Sequence, residues 1–104
     1  MTRIIYDSTL HTLEIDGHSG YATEGSDIVC AGISSLFCTL ANALEDRFGA
    51  VHKKVYSGYA LLEYTGNDDS AIILIESIVD GLKDIAEEYP ENVNFSEVRK
   101  HKKS

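Results

Sequence analysis

His18 and Cys30 are the residues of this 104-residue chain whose types and spacing can do covalent chemistry. Asp16-Gly17-His18-Ser19-Gly20-Tyr21-Ala22 ends a strand pattern, and Asp27-Ile28-Val29-Cys30-Ala31-Gly32-Ile33-Ser34 opens a helical one twelve residues after the histidine. Asp27 suits the N-cap, where its carboxylate can accept the free amide protons of the next residues. Cys30 is then the third helical residue, in the field of unpaired N–H groups that amounts to roughly half a positive charge. That field favours thiolate over thiol. A histidine alongside completes a thiolate–imidazolium pair, the activated nucleophile of cysteine hydrolases. The same amides could hold the oxyanion that forms when sulfur attacks a carbonyl. Ser34, one turn below Cys30 on nearly the same face, could donate to the substrate or to the pair.

Each residue also has a plainer reading. A lone helical cysteine is commonly a small buried hydrophobe, although Cys30 lies beside the apolar stripe rather than in it. Asp27 also reads as a cap and nothing more, and Ser34 as a hydroxyl bonded back to the carbonyl of Cys30. Strand parity sets His18 opposite Leu13 and Ile15, so Gly17 must bend the chain, or the site must sit at the sheet's end. Cys38 is eight residues beyond Cys30, about 12 Å along a helix. That is too far for a disulfide and outside the reach of the dipole, so it reads as a partly buried helix residue. His11, His18 and Cys30 lack the second close pair of a zinc site, and no cofactor or metal is expected.

The elements that must position this pair follow from periodicity. Thr2–Asp7 and residues 10–17 read as strands joined tightly at Ser8-Thr9. Residues 17–26 read as a mobile glycine-rich loop. Val29, Ile33, Leu36, Leu40, Leu44 and Phe48 follow at steps of three and four, a helical stripe ended by Gly49. Residues 53–57 and 59–65 form a second hairpin around Ser57-Gly58. Asn67-Asp68-Asp69-Ser70 caps a second helix, with stripe Ala71, Leu74, Ile75, Ile78, Leu82, Ile85 and Tyr89, stopped by Pro90. Residues 92–100 read as a last strand before a frayed basic tail. The order β-β-α-β-β-α-β predicts an α+β fold with a mainly antiparallel sheet and two helices on one face. One strand-helix-strand connection has parallel potential.

At 104 residues the chain is read as one domain, residues 1–104, with a modest core that fits a partner subunit. Net charge is −8, and residues 1–98 hold five basic against seventeen acidic groups. Such a body disfavours direct nucleic-acid binding and attracts cationic partners. No apolar run near 20 residues suggests a membrane span. The amino terminus lacks a signal-peptide pattern, and two separate thiols fit a reducing compartment. A cytoplasmic protein is expected.

The stretch resembles the ribosomal-processing cysteine proteases known as Prp. The resemblance rests on Gly17-His18, Asp27-Ile28-Val29-Cys30-Ala31-Gly32, Ser34, the His-to-Cys interval and the element order, and so spans essentially the whole chain. It implies a bacterial protease that removes a short N-terminal extension from a large-subunit ribosomal protein, acting as a homodimer. His18 matches the family's catalytic base and Cys30 its nucleophile, while Gly17, Asp27 and Ser34 match its other motif positions. Ser19 departs from the alanine usual after Gly-His. Residues 19–26 are expected to close over the substrate, with Tyr21 as an apolar contact. Two other readings stand beside this one: a non-catalytic ribosome- or protein-binding dimer with a structural cysteine, and a thiol hydrolase acting on a small ester.

Overall fold

The computed structural model describes residues 1–22 and 27–98. Alternating apolar side chains build the sheet. Strands β1 (Thr2–Asp7) and β2 (Thr12–Asp16) pair antiparallel, with Ile4 opposite Ile15 and Tyr6 opposite Leu13. Helix α1 (Ile28–Ala43) follows, then the hairpin of β3 (Val51–Tyr56) and β4 (Tyr59–Tyr64). β4 lies antiparallel to β2 and sets Leu62 against Leu13 and Ala60 against Ile15. Helix α2 (Asp69–Glu88) leads to β5 (Val93–Val98), which runs parallel to β1. The strand order is β3-β4-β2-β1-β5. Four of the five strands thus meet antiparallel neighbours, as expected, and β1–β5 is the parallel pair. The register shows that both helices connect parallel strands, β2 to β3 and β4 to β5, rather than one of them. The intervening strands hide this, because neither pair lies side by side.

One core joins Ile4, Leu13, Leu62 and Val93 of the sheet with Val29, Ile33, Phe37, Leu40 and Leu44 of the first helix and Ala71, Ile75, Val79 and Leu82 of the second. Phe37, Ala41 and Val79 are buried although the stripes omitted them. Each helix packs on the sheet and on its fellow helix at once, so it buries a band wider than a single row of side chains. The helices approach closely at Gly81, where an added β-carbon would lie 3.2 Å from Leu36 Cδ1.

Local chemistry sets the ends. The first hairpin turns over residues 8–11, not at Ser8-Thr9 alone. Asp7 Oδ1 accepts the amides of Thr9 and Leu10, and His11 takes φ 55° while its carbonyl accepts the Tyr64 amide. An aspartate that folds back on its own turn lengthens the loop. α1 continues as one widened π-helical turn, Leu44–Phe48, before Gly49 closes it at φ 64°. Asp68 caps α2 by accepting the Ser70 amide at 2.8 Å. The last strand is described as far as Val98, and the basic tail lies outside the described residues, as do residues 23–26 of the loop.

The helical stretch Ile28–Phe48 spans 21 residues and contains an 18-residue window of mean hydropathy 1.6, long and apolar enough by those measures to cross a membrane. The expectation that no such stretch exists is corrected here. Ser34, Ser35, Thr39 and Asn42 interrupt the apolar run without lowering its average enough. In the fold its apolar band faces the core. Leu62, wholly buried at the middle of that core, should be costly to truncate: Leu62→Ala is expected to lose about 2–5 kcal/mol in urea unfolding, against about 0.5 kcal/mol or less for exposed Glu63→Ala.

Candidate active site

Asp27 is the point from which the site is built. Its Oδ1 accepts the amides of Val29 and Cys30, each at 2.9 Å, and its main-chain carbonyl takes the Ala31 amide at 3.0 Å. The other carboxylate oxygen, Oδ2, accepts the Ser19 hydroxyl and the Tyr21 amide. Asp27 is therefore the expected N-cap and also the anchor of the loop after β2. The Ser19 hydroxyl, then the Cys30 and Ala22 amides and the Cys30 thiol, hold its carboxyl down at about 2, against partial burial that would raise it.

Ser19 is 2% exposed and bonded on three sides. Besides the hydroxyl on Asp27, its amide donates to Cys30 Sγ at 3.3 Å and its carbonyl accepts Asn92 Nδ2 at 3.1 Å. The departure from the motif residue thus adds a bond that alanine lacks.

Gly17 resolves the parity problem. At φ 95° it turns the chain out of the sheet, its amide donates to the Gly58 carbonyl at 2.7 Å, and a β-carbon there would lie 2.5 Å from the Met1 carbonyl oxygen. His18 consequently leaves the strand's alternation and rests its ring on the second hairpin. A β-carbon on Gly58 would lie 3.1 Å from His18 Nε2.

Two adjoining cavities meet at His18, Cys30 and Ser34. The first, about 170 Å³, is mainly apolar, walled by Ile33, Phe37, Val55, Tyr56 and Ala60. Val55 and Tyr56 are 63% and 64% exposed, unusually open for large apolar side chains. The second, about 450 Å³, opens on the polar side along Gly20, Ala22, Asp27 and Ala31. Among the described residues no hydrogen bond joins His18 to Cys30. An extended peptide laid across both cavities would pass its backbone between them.

Gly17, His18, Asp27, Cys30 and Ser34 are thus gathered at one place, and Ser34 makes no side-chain bond back to its helix among the described residues. Tyr21 lines neither cavity. Its ring meets Tyr89 edge-on at 5.3 Å. Cys38 is exposed and lines the apolar cavity, not partly buried as expected, because it points away from the band that faces the sheet. His11 stays in the first turn, 6.3 Å from the Tyr64 ring. Ser19, Gly58 and Asn92 were missed as site residues. Gly58 and Asn92 act through partners distant in the chain, and Ser19 was marked only as a departure beside His18, not for its bonds to Asp27 and Cys30.

The family model for the cysteine protease Prp matches residues 1–94. The chain belongs to the cysteine protease Prp family. It is a cysteine peptidase. A relative named ribosomal processing cysteine protease Prp from Staphylococcus aureus is 28% identical over 86 residues, covering 79% of this chain and 81% of its own. One of the same name from Mycoplasma pneumoniae is 29% identical over 90 residues, covering 86% and 90%. The crystal structure of S. aureus Prp with a covalently linked product peptide superposes with a TM-score of 0.76 at 24% identity, covering 93% of this chain and 97% of that one. That likeness bears out the α+β fold.

Two measurements probe this geometry. A carboxylate whose folded pKa is depressed contributes stability above its unfolded value near 3.8 and loses it as the pH falls towards about 2. Calorimetry should therefore show a decline in Tm between pH 4 and 2 that is shallower in Asp27→Asn, which is already less stable at pH 6. Gly58→Ala should push the His18 ring off its seat and strain the turn, which stands at φ 75°. Peptidase kcat is expected to fall about 10-fold or more with KM little changed, in line with the sensitivity of catalysis to small misplacements.

Proposed function

We propose that Cys30 is the nucleophile and His18 the general base and acid of this Prp-family peptidase, and that it removes the N-terminal extension of a large-subunit ribosomal protein. One observation carries the reading: His18 and Cys30 border both cavities where a peptide would cross from the apolar to the polar side. The Cys30 sulfur attacks the scissile carbonyl carbon, and His18 gives a proton to the departing amine. The imidazole then takes a proton from water as that water attacks the thioester, releasing the acid. Ser34, on the rim of both cavities, donates to the bound peptide. The relatives' names supply the link to ribosomal processing.

The acidic body, seventeen acidic groups against five basic over residues 1–98, draws in a basic substrate and disfavours direct contact with RNA. The reading places a homodimer in the cytoplasm, with residues 19–26 closing over the substrate. The small core of a 104-residue chain supports the dimer.

Cleavage of the extended ribosomal protein, followed by mass spectrometry, should vanish in Cys30→Ala and fall about 10²–10⁴-fold in His18→Ala, with circular dichroism unchanged. Full activity in either variant overturns the pair. Iodoacetamide at pH 6 should label Cys30 faster than Cys38, although Cys38 is the more exposed. Equal, slow labelling would favour a binding module with a structural cysteine.

A further inference from the structure

Attack on a peptide carbonyl builds negative charge on its oxygen, and an effective site holds a donor ready for it. The amides at the start of the helix were the expected donors, but the three nearest the sulfur are engaged. Val29 and Cys30 donate to Asp27 Oδ1, and Ala31 donates to the Asp27 carbonyl. Asp27 stays ionised throughout the neutral range, so those bonds persist while the enzyme works. Outside the helix, one main-chain N–H already points at the reacting atom, that of Ser19.

We propose that the main-chain amide of Ser19 is the oxyanion donor of this peptidase, transferring its hydrogen bond from Cys30 Sγ to the substrate oxygen during attack. In the free enzyme it donates to the sulfur at 3.3 Å. When a sulfur electron pair forms the S–C bond, the carbonyl π pair moves to oxygen. The sulfur loses its acceptor strength as the oxygen gains it. That oxygen is bonded to the carbon that sulfur has just joined, so a donor in contact with sulfur needs only a small shift to reach the roughly 2.7–3.1 Å required. On collapse the oxygen pair re-forms the carbonyl, the C–N bond breaks, and the amine leaves with the proton from His18. The thioester remains on Cys30.

The donor is held in advance. The Ser19 hydroxyl is tied to Asp27 and the Ser19 carbonyl to Asn92, while Gly17 is fastened to Gly58 on the other side of His18. Fixed dipoles cost no reorganisation at the moment of reaction. The Ser19 side chain is accordingly a positioning group for its own amide. The inference rests on Cys30 being the nucleophile.

Replacing the Ser19 N–H by an ester oxygen removes the donor alone. A synthetic segment 1–29 carrying that ester, joined to 30–104 at Cys30, gives the full chain, with an all-amide ligation as control. Two reagents are compared at Cys30 by mass spectrometry: p-nitrophenyl acetate, whose attack forms an oxyanion, and iodoacetamide, whose displacement does not. Acylation should fall about 10²–10³-fold, and alkylation less than about 10-fold, as expected for one lost hydrogen bond to sulfur. Equal loss in both, or acylation within about threefold of the control, overturns the proposal. A second variant keeps the test open if the ester protein folds poorly. Ser19→Ala retains the amide but frees it, and should lower acylation about 3–10-fold with alkylation unchanged, restored by Ser19→Thr. Unchanged acylation would overturn the positioning role. Control protein in which Cys30 acylates no faster than Cys38 would instead defeat the nucleophile assignment.

Discussion

The carboxylate of Asp27 is the constraint on which the site depends. A helix begins with amide protons that need acceptors, and one oxygen of this side chain meets that need for Val29 and Cys30. The second oxygen meets a different need, that of a loop with no regular structure, by accepting Ser19 and Tyr21. One charged group thus fixes the two segments that carry Cys30 and His18 relative to each other. The bonds also hold the carboxyl ionised down to about pH 2, so the anchor keeps its charge under all ordinary conditions.

The second hairpin completes the arrangement from the opposite direction. Its two-residue turn supplies the Gly58 carbonyl to Gly17 and a flat surface beneath His18. The residues before that turn, Val55 and Tyr56, wall the apolar cavity. A single structural unit supports the imidazole and shapes the groove beside it, so change in the turn affects both. Tyr56 and Tyr59 stack at 6.1 Å across the hairpin, which stiffens this wall.

Much of this was legible in the chain. Leu13 and Ile15 alternate, the helical stripes recur at three and four, and Asp27, Gly49, Asp68 and Pro90 punctuate as their chemistry requires. Those signals are local, so the elements and caps came out close to the structure, and His18 and Cys30 line the same two cavities. What escaped was non-local. Gly58 reads as a turn glycine until the fold brings His18 over it. Asn92 reads as the start of a strand until its amide reaches Ser19. Ser19 looked like a minor departure because its value lies in a carboxylate eight residues away. The π turn and the aspartate-closed first hairpin escaped for another reason, since each depends on hydrogen bonds that residue spacing does not encode.

The tether from Asn92 to Ser19 spans 73 residues, and β5 is the strand that lies beside β1. Contacts between such distant parts of a chain form late and slowly. A nascent polypeptide still lacking its final strand has an open β1 edge and an unsecured sulfur-binding amide, whatever else has folded. The carbonyl side of Ser19 is therefore anchored only once the chain as far as Asn92 has taken its place beside β1.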